Sequence, residues 1–166
     1  MGHRSLYCLT ALLLAACQTA PEEDFTLQVR DEVRTAVEEL MAAKNVPDGA
    51  AVVEFYDDDP SFTYLGCTDF TIGGESFNAL FRQVYDRREP DSFDMRIADV
   101  KVLGPDAAVV SLVGSTTTQP NLFSTQVWVR DGDWQIVLEH ASWPNCRGPT
   151  GPHPYTSPTE GAGTGN

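Results

Sequence analysis

Apolar residues recur at helical spacing in the first third of the chain. Between residues 25 and 44, Val29, Val33 and Val37 stand four positions apart, and Leu40 and Met41 follow Val37 by three and four positions. This spacing places them on one stripe of an amphipathic helix. Asp24 is a residue type suited to cap the start of a helix. The pattern therefore predicts a first helix from Phe25 to Lys44.

Two more helices and a short hairpin are predicted before residue 90. Pro47 favours the first turn of a second helix that ends near Asp57. Phe62 and Tyr64, followed by the apolar residues 70–72, indicate a short hairpin. Helical spacing returns at residues 77–85, which predicts a third helix ending near Arg88.

After residue 90 the apolar residues alternate with a period of two, which is typical of strands. They occupy odd positions from 93 to 97 and even positions from 100 to 102, and this change predicts a β-bulge near Ala98-Asp99. Further strands are predicted over residues 107–118, 122–130 and 134–143, with Asp131-Gly132 as the last turn. The order predicts an α+β fold, with three N-terminal helices packed on a curved, four- to six-stranded, mainly antiparallel sheet.

The first 16 residues have the pattern of an export signal. The apolar run from Leu6 to Ala16 is shorter than the ~20 residues that span a bilayer, but it fits a secretory signal. Leu14-Ala15-Ala16-Cys17 resembles the bacterial lipobox, whose cysteine is acylated and becomes the N-terminus. The resemblance implies a signal peptide over residues 1–16 and a lipidated Cys17, with palmitate-type chains in the lipid bilayer and a linker to residue 24. It also implies an exported lipoprotein on the periplasmic side, and Gln18 favours the outer membrane. The alternative is an ordinary signal peptide with an incidental cysteine.

The remaining chain is predicted to hold one domain, over residues 25–146, and a disordered Gly/Pro/Thr-rich tail over residues 147–166. The formal net charge of −13 argues against nucleic acid as a partner, because phosphates attract basic patches. Cys67 and Cys146 remain in the exported domain, where an oxidising compartment allows a disulfide. Two free, buried cysteines are the alternative. No metal site and no cofactor are predicted.

Three segments resemble the nuclear transport factor 2-like superfamily, which includes ketosteroid isomerase and the SnoaL-like polyketide cyclases. They are residues 55–62, Gly73-Gly74-Glu75 and residues 128–142. The resemblance covers about Phe25 to Pro144 and implies a cone-shaped cavity between the helices and the bent sheet. In the SnoaL-like branch, a His and a Ser near the end of the last strand face that cavity. Because this fold hosts unrelated functions, function must be argued from the site.

Strand alternation predicts which side chains line the cavity. With Asp131-Gly132 as a two-residue turn, Val129 pairs with Trp134 and Phe123 with His140. The predicted ligand-binding residues are Tyr56, Phe62, Tyr64, Phe123, Trp134, Leu138, His140 and Ser142. His140 is the candidate general base, and Tyr56 or Tyr64 would donate a hydrogen bond to a substrate carbonyl. A structural histidine is the alternative. The inward acid of ketosteroid isomerase cannot be placed, so that activity is not predicted.

Three functions remain open at this point. The first is a membrane-anchored lipoprotein whose cavity binds a small apolar ligand. The second is a SnoaL-like isomerase, dehydratase or cyclase that uses His140, and the third is a non-catalytic, dimeric interaction module. A homodimer through the outer face of the sheet is expected because Trp128, Val137 and Trp143 are predicted to lie there, and large apolar residues are costly to leave in water.

Overall fold

A computed structural model describes residues 21–66, 70–87, 92–117 and 119–144. The helices in these ranges are α1 (Pro21–Lys44), α2 (Gly49–Val53) and α3 (Gly74–Asp86). The strands are β1 (Thr63–Leu65), β2 (Phe70–Ile72), β3 (Phe93–Gly104), β4 (Ala107–Thr116), β5 (Leu122–Asp131) and β6 (Asp133–Ser142). The predicted α+β class is confirmed. Cys17, the Cys67–Cys146 pair and the predicted tail lie outside the described residues.

The strands form one mixed sheet in the order β2-β1-β6-β5-β4-β3. Neighbouring strands pair antiparallel except β1 and β6, which are parallel. The predicted bulge in β3 is confirmed, because the pairing register with β4 shifts between Ile97 and Asp99. A bulge bends its strand and increases the local twist. The long strand β3 therefore bends at this point, and it packs against α1.

The buried stripe of α1 forms the helical side of the core. Val33, Val37 and Leu40 are almost completely buried and belong to one cluster with Val110 and Leu112 of β4. The helix begins at Pro21, one turn before the predicted start, so Asp24 lies inside it. Among the described residues, no helix combines the length and the apolar character needed to cross a membrane.

The second helix is shorter than predicted, and this places Tyr56 beside the sheet. The Asp48 side chain accepts a hydrogen bond from the Ala51 N–H at 3.0 Å and caps the start of α2, which ends at Val53. Tyr56 then forms a parallel bridge with Ile136 of β6. The predicted helix to Asp57 is wrong because the carbonyl of Phe55 and the N–H of Asp57 form hydrogen bonds with the backbone of Ile136 on β6.

The β5–β6 hairpin has a different register from the predicted one. Gly132, with a φ of 89°, stands between the paired residues Asp131 and Asp133, and Arg130 pairs with Trp134. The register on β5 is therefore one residue away from the predicted Val129–Trp134 pair. A slip of one residue moves every side chain of a strand to the opposite face.

A second bulge reverses the alternation inside β6. The register shifts between Val127 and Trp128, which leaves Val137 without a partner on β5. Ile136, before the bulge, is fully buried as predicted. His140, after the bulge, lies on the exposed face of the sheet. We call the face packed against the helices the inner face and the opposite one the outer face.

Candidate functional site

A cavity of ≈ 240 Å³ lies between the inner face of the sheet and helices α1 and α3. Its walls are largely apolar and include the rings of Phe81, Phe93 and Trp143. The lining residues that carry polar side-chain groups include Lys44, Tyr64, Tyr85, Thr116, Gln119, Ser124 and Glu139. Since one water takes up about 30 Å³ of liquid, the cavity has the volume of about eight waters, which suits a small ligand.

Glu139 of β6 is the centre of a buried hydrogen-bond network at this cavity. Its Oε2 accepts a hydrogen bond from the Tyr56 hydroxyl at 2.6 Å. Its Oε1 accepts two more, from the Ser124 hydroxyl at 2.8 Å and from Nε2 of Gln126 at 3.0 Å. The carboxylate is 4 % exposed. These three donors hold it in one orientation, as a buried charge requires.

The neighbouring strand fixes the orientation of the donors. Gln126 and Trp128 lie two residues apart on β5, so both side chains point to the inner face. The indole Nε1 of Trp128 donates to Oε1 of Gln126 at 3.0 Å, which leaves the Gln126 NH₂ group to donate to Glu139. The buried tryptophan thus sets the direction of the amide, and the amide helps to hold the carboxylate.

Lys44, the last residue of α1, supplies the opposite charge. It is 8 % exposed, whereas lysine is almost never buried unless it is paired. Its Nζ lies 4.0 Å from Oε1 of Glu139. The same ammonium lies 5.6 Å from the ring centroid of Tyr56 and 5.7 Å from that of Phe93, within the range of cation–π attraction. One cation and one carboxylate therefore face each other inside an aromatic enclosure.

The electrostatics keep both partners of the Tyr56–Glu139 hydrogen bond in fixed protonation states. Burial raises the pKa of Glu139, but the charge of Lys44 and the three hydrogen bonds outweigh it, so the pKa lies below the ordinary 4.5. Burial, followed by the negative charge of Glu139, raises the pKa of Tyr56 well above 10.0. At neutral pH Tyr56 is thus a stable donor and Glu139 a stable carboxylate.

An aromatic cluster forms one side of the site and brings together three of the predicted residues. The ring of Tyr56 lies 6.0 Å from that of Phe62 and 5.0 Å from that of Phe77. Tyr64 of β1 lies 5.1 Å from Phe77 and 5.7 Å from Phe81. Of the three predicted residues, Tyr64 lines the cavity, while Tyr56 and Phe62 are buried in the supporting layer.

Comparisons with known proteins found similar structures but no match to the sequence. No protein-family model matches the sequence, and no curated protein matches it. An NTF-2-like protein of unknown function from Shewanella oneidensis is similar with a TM-score of 0.59 and 20 % identity, over 69 % of this chain and 98 % of that one. A ketosteroid isomerase-like protein from Erwinia carotovora atroseptica is similar with a TM-score of 0.53 and 18 % identity, over 69 % and 95 % of the two chains.

The chain has the nuclear transport factor 2-like fold. A third similar structure is a putative calcium/calmodulin-dependent protein kinase type II association domain from Thiobacillus denitrificans. It has a TM-score of 0.58 and 17 % identity, and the match covers 66 % of this chain and 93 % of that one. The resemblance stated from the sequence is confirmed for the fold.

Within this nuclear transport factor 2-like fold, four of the predicted cavity residues lie on the outer face. Val127 pairs with Leu138, Thr125 with His140, and Phe123 with Ser142, and this set of residues alternates with the buried ones. The prediction that Phe123, Leu138, His140 and Ser142 line the cavity is wrong. The slipped hairpin moves Phe123 outward, and the bulge at Val137 moves the other three.

Trp134 is on the inner face as predicted, but it lies at the hairpin end, away from the cavity. The guanidinium of Arg130 sits 5.1 Å from its ring, and its Nε1 donates to Glu32 of α1 at 3.4 Å. It lines a separate groove between α1 and β6. Its role in this structure is to close that end of the core.

The predicted outer-face aromatics also need correction. Trp128 is completely buried, and Trp143 lines the cavity. The hairpin register accounts for the wrong placement of Trp128, and the bulge at Val137 accounts for that of Trp143. The large apolar residues that the outer face does present include Phe123, 48 % exposed, and Ile72, 47 % exposed.

Lys44, Ser124, Gln126 and Glu139 are the site residues that sequence reasoning missed. The position of Lys44 in the sequence indicates that it is buried, because it continues the buried stripe of α1 at the same spacing as Val37 and Leu40. A lysine at an apolar stripe position indicates a buried cation with a partner. Glu139 had a weaker signal, as an acid that follows three apolar residues in a strand.

Proposed function

We propose that this chain binds a small, mostly apolar molecule in the cavity, and that binding is its activity. The observation that carries the proposal is the ≈ 240 Å³ cavity with aromatic walls and a buried Lys44–Glu139 pair. Convergent polar groups in a largely apolar, concave site are the usual signature of a small-molecule site.

The state of the charged residues favours binding over proton-transfer catalysis. A general base works best with a pKa near the operating pH and with a lone pair directed at the substrate. Both Glu139 oxygens already accept hydrogen bonds, and its pKa is lowered. His140, the candidate base of the isomerase alternative, lies on the exposed outer face. The base that this alternative requires therefore does not line the cavity.

A filled cavity tests the proposal. Ala141 is buried and lines the cavity, so Ala141→Leu places three additional carbon atoms in it. Ser142→Leu adds a leucine at the adjacent residue, which is paired on the outer face. We expect 4-phenyl-2-butanone to raise the melting temperature of the wild type and of Ser142→Leu, and to have no effect on Ala141→Leu. Equal stabilisation of all three proteins would contradict binding in this cavity.

We also propose that the protein is exported and anchored in the bilayer through an acylated Cys17. The support is the lipobox resemblance of Leu14-Ala15-Ala16-Cys17 and the apolar run before it. More than one acyl chain is needed for stable anchoring, which multiple acylation of one cysteine would provide. Metabolic labelling with an alkyne analogue of palmitate should label the wild type and not Cys17→Ser. Labelling of both would overturn the assignment.

We further propose that two copies pair through the outer face. The support is the exposure of Phe123 and Ile72 there, since apolar side chains of this size are costly to leave in water. Sedimentation equilibrium should give a dimer for the wild type and a monomer for Phe123→Asp. A control variant, Leu27→Asp, changes an exposed leucine of α1 and should remain dimeric. A monomeric wild type would refute the pairing.

A further inference from the structure

We infer that the ligand of this cavity carries a hydroxyl group, and that the neighbouring oxygens of Glu139 and Ser124 accept a hydrogen bond from it. The two side chains lie on the paired strands β6 and β5, and both line the cavity. This inference rests on the proposed binding function and names the chemical class of the ligand.

The carboxylate of Glu139 has the capacity for one more hydrogen bond. An ionised carboxylate offers about four acceptor positions, shared between its two oxygens. Among the described residues, three side chains donate to it: Ser124 and Gln126 to Oε1, and Tyr56 to Oε2. The acceptor position that remains is therefore on Oε2.

Two of the three donors hold the carboxylate from the side away from the cavity. Tyr56 and Gln126 are almost completely buried, and neither is among the described residues that line the cavity. Glu139 is also almost completely buried, but it does line the cavity. A ligand donor therefore reaches the remaining acceptor position of Glu139 through the cavity.

Ser124 adds a second acceptor at the same place. Its hydroxyl hydrogen is committed to Oε1 of Glu139, at 2.8 Å. The pKa of Glu139 lies below its ordinary value, so the carboxyl is ionised at neutral pH and cannot donate in return. The lone pairs of Ser124 Oγ are thus available as acceptors. Together the two side chains present acceptor oxygens and no donor to the cavity.

A hydroxyl group matches this pair of acceptors better than a carbonyl group. An alcohol can donate to Glu139 or Ser124 and can also accept from any donor on the cavity wall, whereas a ketone can only accept. A hydrogen bond to a carboxylate is charge-assisted and is among the stronger ones. A ketone that displaces solvent from these oxygens leaves them without a donor, which is costly in a buried site. A neutral hydroxyl also avoids the cost of bringing another charge into a largely apolar cavity.

Three compounds with the same phenylbutyl skeleton test the inference by isothermal titration calorimetry on the full chain. They are racemic 4-phenyl-2-butanol, 4-phenyl-2-butanone and butylbenzene, which carry a hydroxyl, a carbonyl and no polar group. We expect the alcohol to bind at least tenfold more tightly than the ketone, and more tightly than the hydrocarbon. A ketone that binds as tightly as the alcohol would overturn the inference while the binding function stands. Failure of all three to bind would count against the binding function itself.

Replacing Glu139 by glutamine should remove the preference for the alcohol. Gln126 directs its NH₂ group at the position of Oε1, because Trp128 fixes the orientation of that amide. In Glu139→Gln the new side chain therefore keeps its oxygen at this position and places its NH₂ group at the position of Oε2. A donor then replaces the acceptor that faces the ligand. We expect the ketone to bind this variant at least as tightly as the alcohol does.

Glu38→Gln is the matched control for this substitution. Glu38 is exposed on α1 and is not among the described residues that line the cavity, so the variant should keep the wild-type preference for the alcohol. A preference that is unchanged in Glu139→Gln as well would contradict a role for Glu139 as the acceptor. The comparison of alcohol with ketone on the wild type requires no variant, so it tests the inference even where Glu139→Gln does not fold.

Discussion

Replacing Tyr56 by phenylalanine isolates the strongest contact of the buried network. The variant removes one oxygen atom, which donates to Glu139 at 2.6 Å. The ring keeps its neighbours Phe62 and Phe77, so packing changes little. A hydrogen bond to a charged group contributes about 1.5–3 kcal/mol. We expect the free energy of unfolding to fall by about 2 kcal/mol at pH 7, because the buried carboxylate loses one of its three donors.

Urea denaturation followed by tryptophan fluorescence measures this loss. With a slope of about 2 kcal/mol per molar, the unfolding midpoint should fall by about 1 M without a change in slope. The cost should shrink as the pH falls through the lowered pKa of Glu139, since a hydrogen bond between neutral groups contributes about 0.5–1.5 kcal/mol. The same substitution in a Glu139→Gln background should likewise cost less. Equal costs in both backgrounds, or a loss below about 0.5 kcal/mol, would refute the reasoning.

Three further predictions concern acid stability, helix packing and the α1–β3 contact. Because the pKa of Glu139 is lowered on folding, the charged carboxylate stabilises the folded state fully above pH 4.5, and this stabilisation is lost as the pH falls through the folded pKa. The Glu139→Gln variant should therefore lose less stability in acid than the wild type. Gly49→Ala should cost about 1–3 kcal/mol in chemical denaturation because the added Cβ meets the backbone of Arg82, whereas Gly104→Ala enters open space and should change stability by less than about 0.5 kcal/mol. Asn45→Ala should cost about 1–2 kcal/mol in thermal unfolding because its amide bonds the β3 backbone at 2.7 and 3.3 Å; an unchanged melting temperature would exclude this bridge.

The sequence predicted well the features that depend on the spacing of apolar residues. The stripe of α1 and the bulge of β3 were both readable, because apolar and polar positions contrast clearly there. At Ala98-Asp99 the apolar positions change from odd to even, and a strand can do this only by inserting a residue. The α+β class followed from these elements, and the family resemblance added the cavity between the helices and the sheet.

The site was harder to predict because β6 gives no such contrast. Residues 136–138 are all apolar, so the bulge at Val137 leaves no phase change in the sequence. The Asp131-Gly132 pair is compatible with more than one turn, and a one-residue difference there exchanges the two faces of β5. The bulge moved His140 out of the cavity and Glu139 into it, and the hairpin register moved Phe123 to the outer face. Tertiary pairing, which local pattern does not encode, decided both.

Methyl NMR of the methionines tests the central claim most directly. The sequence has three methionines, and Met41 and Met95 line the cavity while Met1 lies outside the described residues. In a protein labelled with ¹³C at the methionine methyl groups, we expect titration with 4-phenyl-2-butanone to shift the Met41 and Met95 signals along one binding curve. Unshifted Met41 and Met95 signals at millimolar ligand would contradict ligand binding in this cavity.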